Sequence, residues 1–169
     1  MSLIYKQGNI IDALKNGEIE ICAIQENCTV GMGAGISKFL ADEYPEIKNS
    51  NLKQLNLAKT APEEVLGKAI PYLLNNNAVI YGIYSQYYPG GPSIDGFDKF
   101  EQRLHWLNKG LSYINDSNKG KSIILPLIAS GLAKMRTKDY ISDLDYFKKY
   151  IAPTVEKCLI DMNVTIYYL

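Results

Sequence analysis

Asn27-Cys28-Thr29-Val30-Gly31-Met32-Gly33-Ala34-Gly35-Ile36 follows an apolar run and leads into a helical pattern, and the fold turns on how this stretch is read. Three glycines at alternate positions strip every other side chain from a turn, so the main chain there can approach a ligand closely. A helix beginning near Gly33 directs its positive dipole end and its unpaired amides at that ligand. The expected guest is an anion, a phosphate or a diphosphate. The same glycines also suit a tight strand-to-helix turn that holds nothing.

Familiar phosphate motifs fail. A Walker loop ends in Gly-Lys-Ser/Thr, whereas this chain has Gly35-Ile36-Ser37 and no lysine to reach a terminal phosphate. The dinucleotide fingerprint needs a small residue where Ile36 stands, and Leu55 lies about where its ribose-binding acid belongs. A cysteine phosphatase built on Cys28 needs an arginine at position 34, which is alanine.

The chain of 169 residues, 47% hydrophobic, fits one globular, soluble domain spanning 1–169. Its 18 basic residues balance 18 acidic ones, so no broad field favours a nucleic-acid backbone or an anionic membrane, and anion recognition has to be local. The first residues lack a signal peptide's apolar core, and no apolar run approaches the roughly 20 residues that span a bilayer. A cytoplasmic location and no membrane partner are therefore expected. Cys22, Cys28 and Cys158 are too few and too irregular for a disulfide framework or a zinc site, so no metal and no cofactor is expected. The sole histidine, His105, precedes Trp106 in a helical stretch and receives no role. Most of the 13 tyrosines are expected in strands, with buried rings and wet hydroxyls.

Residues 2–7 alternate apolar and polar, 10–14 read as a short helix, and 19–24 form an apolar strand entering the glycine turn. Ile36, Phe39, Leu40 and Tyr44 recur at helical spacing until Pro45 stops the pattern, and residues 46–63 have room for one helix before Pro62. Residues 68–74 and 78–85 read as a hairpin joined by Asn75-Asn76-Asn77, whose side chains tolerate positive φ. The following loop, residues 86–92, suits a mobile wall over a cleft. Phe97, Phe100, Leu104, Leu107, Leu111 and Ile114 then describe a long amphipathic helix capped near Ser93 or Asp95. A buried strand at 122–126 runs into the small-residue loop Leu127-Ile128-Ala129-Ser130-Gly131-Leu132-Ala133, the second half of a site. Residues 140–161 are helical in composition with a break at Pro153, and 164–168 make a last strand. Strands alternating with helices predict a three-layer α/β/α sandwich with a mixed central sheet and a ligand at the carboxyl ends of its central strands.

With both loops and their order in hand, the chain resembles a macro domain of the family that processes ADP-ribose-1''-phosphate. Gly8-Asn9-Ile10 looks like that family's Gly-Asp-Ile/Leu, and 27–36 is similar to its Asn-x-x-x-x-Met-Gly-x-Gly-Ile. Residues 125–132 look like its Leu-Pro-x-Ile-Gly-x-Gly-Leu. The Met-Gly-Ala-Gly-Ile form and the closing Ile166-Tyr167-Tyr168-Leu169 resemble most the branch of ADP-ribose-1''-phosphate phosphatases and the terminal ADP-ribose protein glycohydrolase.

That resemblance implies an ADP-ribose derivative as ligand. Asn9, flanked by Gly8 and Ile10, would take the place of an Asp that contacts adenine. The amides of Gly31, Met32, Gly33, Ala34, Gly35 and Ile36 would hold the diphosphate and distal ribose, with Asn27 orienting a ribose hydroxyl and Ser85 nearby. Leu127, Ile128, Ala129, Ser130, Gly131, Leu132 and Ala133 would close the groove from the opposite side. Two departures bear on activity. Gln86 stands where the glycohydrolase branch has a lysine, and a glutamine forms no Schiff base. Ala133 stands where that branch has an acid. The expected activity is thus hydrolysis of the terminal phosphate of ADP-ribose-1''-phosphate by a positioned water, with Asn27 and Ser130 as catalytic candidates. The alternatives are a non-catalytic reader of ADP-ribose and a hydrolase acting on ADP-ribosylated protein or nucleic acid.

Overall fold

The computed structural model describes residues 3–169. Ser2, where the first alternating run begins, lies outside the described residues. Among the described residues six strands form one sheet: β1 (Ile4–Gln7), β2 (Ile21–Glu26), β3 (Ala69–Leu73), β4 (Val79–Tyr84), β5 (Ser122–Leu125) and β6 (Asn163–Tyr168). Their order is β1-β6-β5-β2-β4-β3, parallel except for β3, which pairs antiparallel with β4. The exception follows from the hairpin, whose turn places Asn77 at φ +67 while Asn76 Oδ1 accepts the Ala78 amide at 3.1 Å.

Both faces of the sheet are covered, as a near-continuous apolar strand such as β2 requires. Side chains alternate across the sheet: Ile21 and Ala23 face one core, Cys22 and Ile24 the other. The first core receives Leu107, Leu111 and Ile114 of α4 (Phe100–Ser117), with Val155 and Cys158 of the later helix Ala152–Cys158. The second receives Ile10, Ala13 and Leu14 of α1 (Ile10–Lys15), Leu40 of α2 (Gly35–Glu43) and Ile47 of α3 (Pro45–Ala58). This is the three-layer α/β/α sandwich with a mixed sheet that the pattern predicts.

Local boundaries differ in instructive ways. Pro45 does not merely stop α2; it opens α3, where the missing amide of a first-turn proline costs nothing. The long amphipathic helix starts at Phe100 with Lys99 as its N-cap and no side-chain cap, so Ser93 and Asp95 stay in the preceding loop. The expected break at Pro153 takes the form of a π-helical stretch, Phe147–Ile151, between the short α5 (Asp143–Tyr146) and α6 (Ala152–Cys158). Strands hold Tyr5, Tyr72, Tyr81, Tyr84, Tyr167 and Tyr168, fewer than half of the tyrosines, and two of their hydroxyls are tied internally. Asn51 Nδ2 donates to Tyr84 Oη at 2.9 Å and Asn118 Nδ2 to Tyr81 Oη at 3.1 Å. Among the described residues, no helix is long and apolar enough to cross a membrane.

Candidate functional site

Asn27 is the first residue beyond β2. Its Oδ1 accepts the amides of Thr29 at 3.0 Å and Val30 at 2.9 Å, and its Nδ2 donates to the Gly31 carbonyl at 3.4 Å. This Asx turn folds the loop back on itself, so Asn27 first of all shapes the loop it opens. The three glycines then do different work. Gly31, at φ +74, packs against α3: a Cβ there would meet Asn51 Oδ1 at 3.2 Å and Leu55 Cδ1 at 3.3 Å. Gly33 and Gly35 have nothing within 4 Å on the side where a Cβ would stand. These two are the glycines that leave the backbone open to a ligand.

The helix begins at Gly35, and extended Ala34 is its N-cap, without a side-chain cap and without an acid in the first turn. The amides of Gly35, Ile36 and Ser37 therefore have no intrahelical partner and point out of the helix end, where the dipole favours an anion. Met32 and Ile36 pack their side chains against the core between α2 and the sheet. The loop consequently offers main chain rather than side chains.

Because β5 lies next to β2 and runs parallel to it, the second loop leaves the same edge of the sheet beside the first. Ile128 is buried, Leu127 and Ala129 lean on the α4 core, and Leu132 is 86% exposed. Ser130 precedes a single 3-10 turn, Gly131–Ala133, and its Oγ donates to the Ile128 carbonyl at 3.4 Å. Lys134 braces the turn on α5 by donating to the Ile141 carbonyl at 3.0 Å and Asp143 Oδ1 at 2.9 Å.

Ala129 sits at φ +59, in the left-handed region that an L side chain adopts at a cost of about 1–2 kcal/mol. The pattern that this loop resembles has glycine there, and the dihedral supplies the reason. Ala129→Gly is expected to raise stability by about 0.5–1 kcal/mol, the relieved strain exceeding the added chain entropy. Urea unfolding of the two proteins checks this, and an unchanged or lower midpoint would mean that the backbone carries no strain.

The other expected site residues stand as follows. Gly8 closes on the Tyr168 carbonyl at 2.8 Å, Asn9 caps α1 by accepting the Ile11 amide at 2.9 Å, and Ile10 is buried under α1. Asn9 is exposed at the β1 edge. Ser85 is fully buried and accepts from Gln25 Nε2 at 2.8 Å. Gln86 is buried and donates to the Tyr88 carbonyl at 2.9 Å, while Ala133 helps to line a very small cavity with Gln25 and Arg103. Neither of these two positions supplies a nucleophile or an acid.

The loop after β4 is not a loose flap. Arg103 of α4 makes a forked pair with Asp98, Nε to Oδ1 at 3.0 Å and Nη2 to Oδ2 at 2.7 Å. Its remaining donors take the carbonyls of Tyr88, Gly90 and Gly91, while Asp98 accepts the amides of Tyr87 and Tyr88. Cys28 N donates to the Tyr87 carbonyl at 3.0 Å, which ties this loop to the glycine turn. Burial, and next to it Asp98, push the Cys28 thiol up to about 12, so it stays protonated and is no nucleophile. Outside this loop a cleft of about 770 Å³ opens toward Leu132, with Ile94, Lys99 and Arg136 in its walls. A second opening, about 350 Å³, is lined by His105, Trp106 and Pro62 and shares no residue with either the 27–36 or the 127–133 loop.

Beneath the glycine turn lies a residue that sequence reading passed over. β2 extends to Glu26, which is 2% exposed. Ser37 Oγ donates to Glu26 Oε1 at 3.1 Å, and burial pushes the carboxyl up to about 8 against the lowering effect of that bond. Among the described residues no cluster of His, Cys, Asp and Glu is arranged to hold a metal ion.

No protein-family model matches the chain, and no curated protein matches it. Solved structures do. The chain is similar to a protein of unknown function from Bacteroides thetaiotaomicron, at TM-score 0.71 and 18% identity over 100% of this chain and 99% of that one. It is similar to the macrodomain of Mycobacterium tuberculosis DarG, at TM-score 0.64 and 18% identity over 99% and 98% of the two chains. Thermosipho africanus DarTG, solved in complex with ADP-ribose, matches at TM-score 0.59 and 15% identity over 98% of this chain and 42% of that one. The likeness at these identities is one of fold, and the fold is that of the macrodomains.

Proposed function

We propose that the chain binds an ADP-ribose derivative between residues 27–36 and 127–133 and releases the terminal phosphate of ADP-ribose-1''-phosphate. The observation that carries the reading is the uncapped start of α2 beside Gly33 and Gly35, whose open flanks let a diphosphate reach main-chain amides. A neutral chain with 18 charges of each sign needs such a local device. The fold shared with a DarTG solved in complex with ADP-ribose supports the same ligand class. In this reading water attacks the phosphate monoester, amides stabilise the charge, and Asn27 and Ser130 hold the loops that position it.

A second reading, a reader without turnover, is favoured by one specific observation. Asn27 and Ser130 already spend hydrogen bonds on their own loops, Asn27 through both ends of its carboxamide. An ADP-ribosylated macromolecule would be its partner. Calorimetric titration with ADP-ribose, followed by ADP-ribose-1''-phosphate with released phosphate monitored, separates the two. Binding with steady phosphate release supports the phosphatase; binding without release leaves a reader; absence of binding to either compound rejects the site.

A further inference from the structure

Glu26 occupies the last position of β2, opposite Tyr84 of β4, and its carboxyl points into the dry layer between the sheet and α2. The polar groups that face it come from every element packed there. Ser37 of α2 donates to it directly. Tyr72 of β3 and Tyr84 of β4 stand beside it, and Asn51 of α3 donates in turn to Tyr84. The crowding centres on Gly82, where a Cβ would lie 3.1 Å from Tyr72 Oη and 3.3 Å from Glu26 Cγ. Tyr72 Oη is buried there as well. None of these groups carries a positive charge, and the nearby Lys38 is spent on Asp42 at the surface. A carboxylate here would be a buried charge without a counter-ion, with only the one bond from Ser37 to offset its desolvation, so the neutral acid is favoured.

Ser37 is the third residue of α2, one of the three whose amides point at the proposed diphosphate site. The carboxyl therefore lies directly under the turn that receives the anion. We propose that Glu26 is a positioning acid for that turn: uncharged, it holds Ser37 and leaves the start of α2 open to a diphosphate, and its ionisation turns the same site against the ligand. This rests on the ADP-ribose reading above and adds a proton to it. A diphosphate and a Glu26 carboxylate repel, so binding favours the protonated acid, and at alkaline pH the protein takes up a proton as ligand binds. The burial that pushes Glu26 up to about 8 places this exchange just above neutrality.

The test is the affinity for ADP-ribose, which keeps its diphosphate fully ionised throughout, measured by calorimetry from about pH 6 to about pH 9.5 on the native chain and on Glu26→Gln. The native Kd is expected to be flat below about pH 7 and to weaken roughly tenfold by the alkaline end, with proton uptake visible as a buffer-dependent heat. Glu26→Gln, neutral at every pH, is expected to stay flat. Ser37→Ala removes the bond that opposes the upward push on Glu26, so its break is expected at higher pH than in the native chain; this variant serves even if Glu26→Gln does not fold. Identical pH profiles in all three proteins would overturn the role of Glu26 while leaving ADP-ribose binding in place. Absence of binding at every pH would instead reject the ADP-ribose reading itself, and this inference with it.

Discussion

Arg103→Ala is expected to cost about 3–5 kcal/mol of stability and to detach residues 86–98 from α4. Asp98 is 1% exposed and Arg103 5%, so truncating the arginine leaves a carboxylate in a dry place with no cation. The carbonyls of Tyr88, Gly90 and Gly91 lose their donors in the same step. An exposed ion pair such as Lys119 with Asp161, 3.8 Å apart, contributes little by comparison. Urea unfolding gives the magnitude, and hydrogen exchange at Tyr87 and Tyr88, whose amides rest on Asp98, gives the location. A second variant, Asp98→Asn with Arg103→Met, should recover part of the loss, because removing both charges costs less than orphaning one. Native-like stability in Arg103→Ala would mean that the fork is ornamental. Cys28 N is bonded to the Tyr87 carbonyl, so loosening this loop should also weaken ligand binding at the glycine turn.

How far the sequence can be read is set by which interactions leave a local signature. Periodicity carried the sandwich: the apolar run of β2, the asparagine turn of the β3–β4 hairpin and the helical stripe of α4 each encode one element without help from the rest. The two loops were legible for the same reason, since glycine at positive φ and an uncapped helix start are local properties. Helix starts were less so. Pro45 reads equally as a stop or a first-turn residue, and only the packing of Ile47 against the second core decides.

Long-range polar contacts left almost no signal. Asp98 and Arg103 are five residues apart, but what buries them is a loop that begins at Gln86, and its run of Tyr, Pro and Gly reads as a mobile wall instead. Glu26 was missed because β2 was expected to end where its apolar run does, at Ile24. Pairing of Gln25 with Ile83 and Glu26 with Tyr84 extends the strand by two polar residues and carries the carboxyl inside. The motif gives Asn27 only as an expected ligand contact, and the structure adds the Asx turn by which it builds the loop.

The buried Glu26 carries the other large effect, and its direction follows from proton counting. An unfolded glutamate releases its proton near the ordinary value of 4.5, while the folded one keeps it to about 8. Between those values the folded state binds more protons than the unfolded state, so this residue makes stability fall as pH rises. Its contribution is fully present below about 4.5 and is lost by about 8. Glu26→Gln preserves shape and the acceptor for Ser37 but does not titrate. The two proteins should therefore be similarly stable near pH 4.5, and the variant should gain about 1.4 kcal/mol on the native chain per pH unit above it. The gain should level off near pH 8 at roughly 3–5 kcal/mol. Parallel urea unfolding across that range, without ligand, measures the difference directly and cancels every other titrating group. A constant difference would mean that Glu26 is ionised in the folded protein, and that water or an unseen cation reaches the floor of the glycine turn. A difference that widens with pH would establish that the acid under α2 is held neutral at some cost in stability. That is the expected sign of a group retained for what it does to the turn above it rather than for the fold it destabilises.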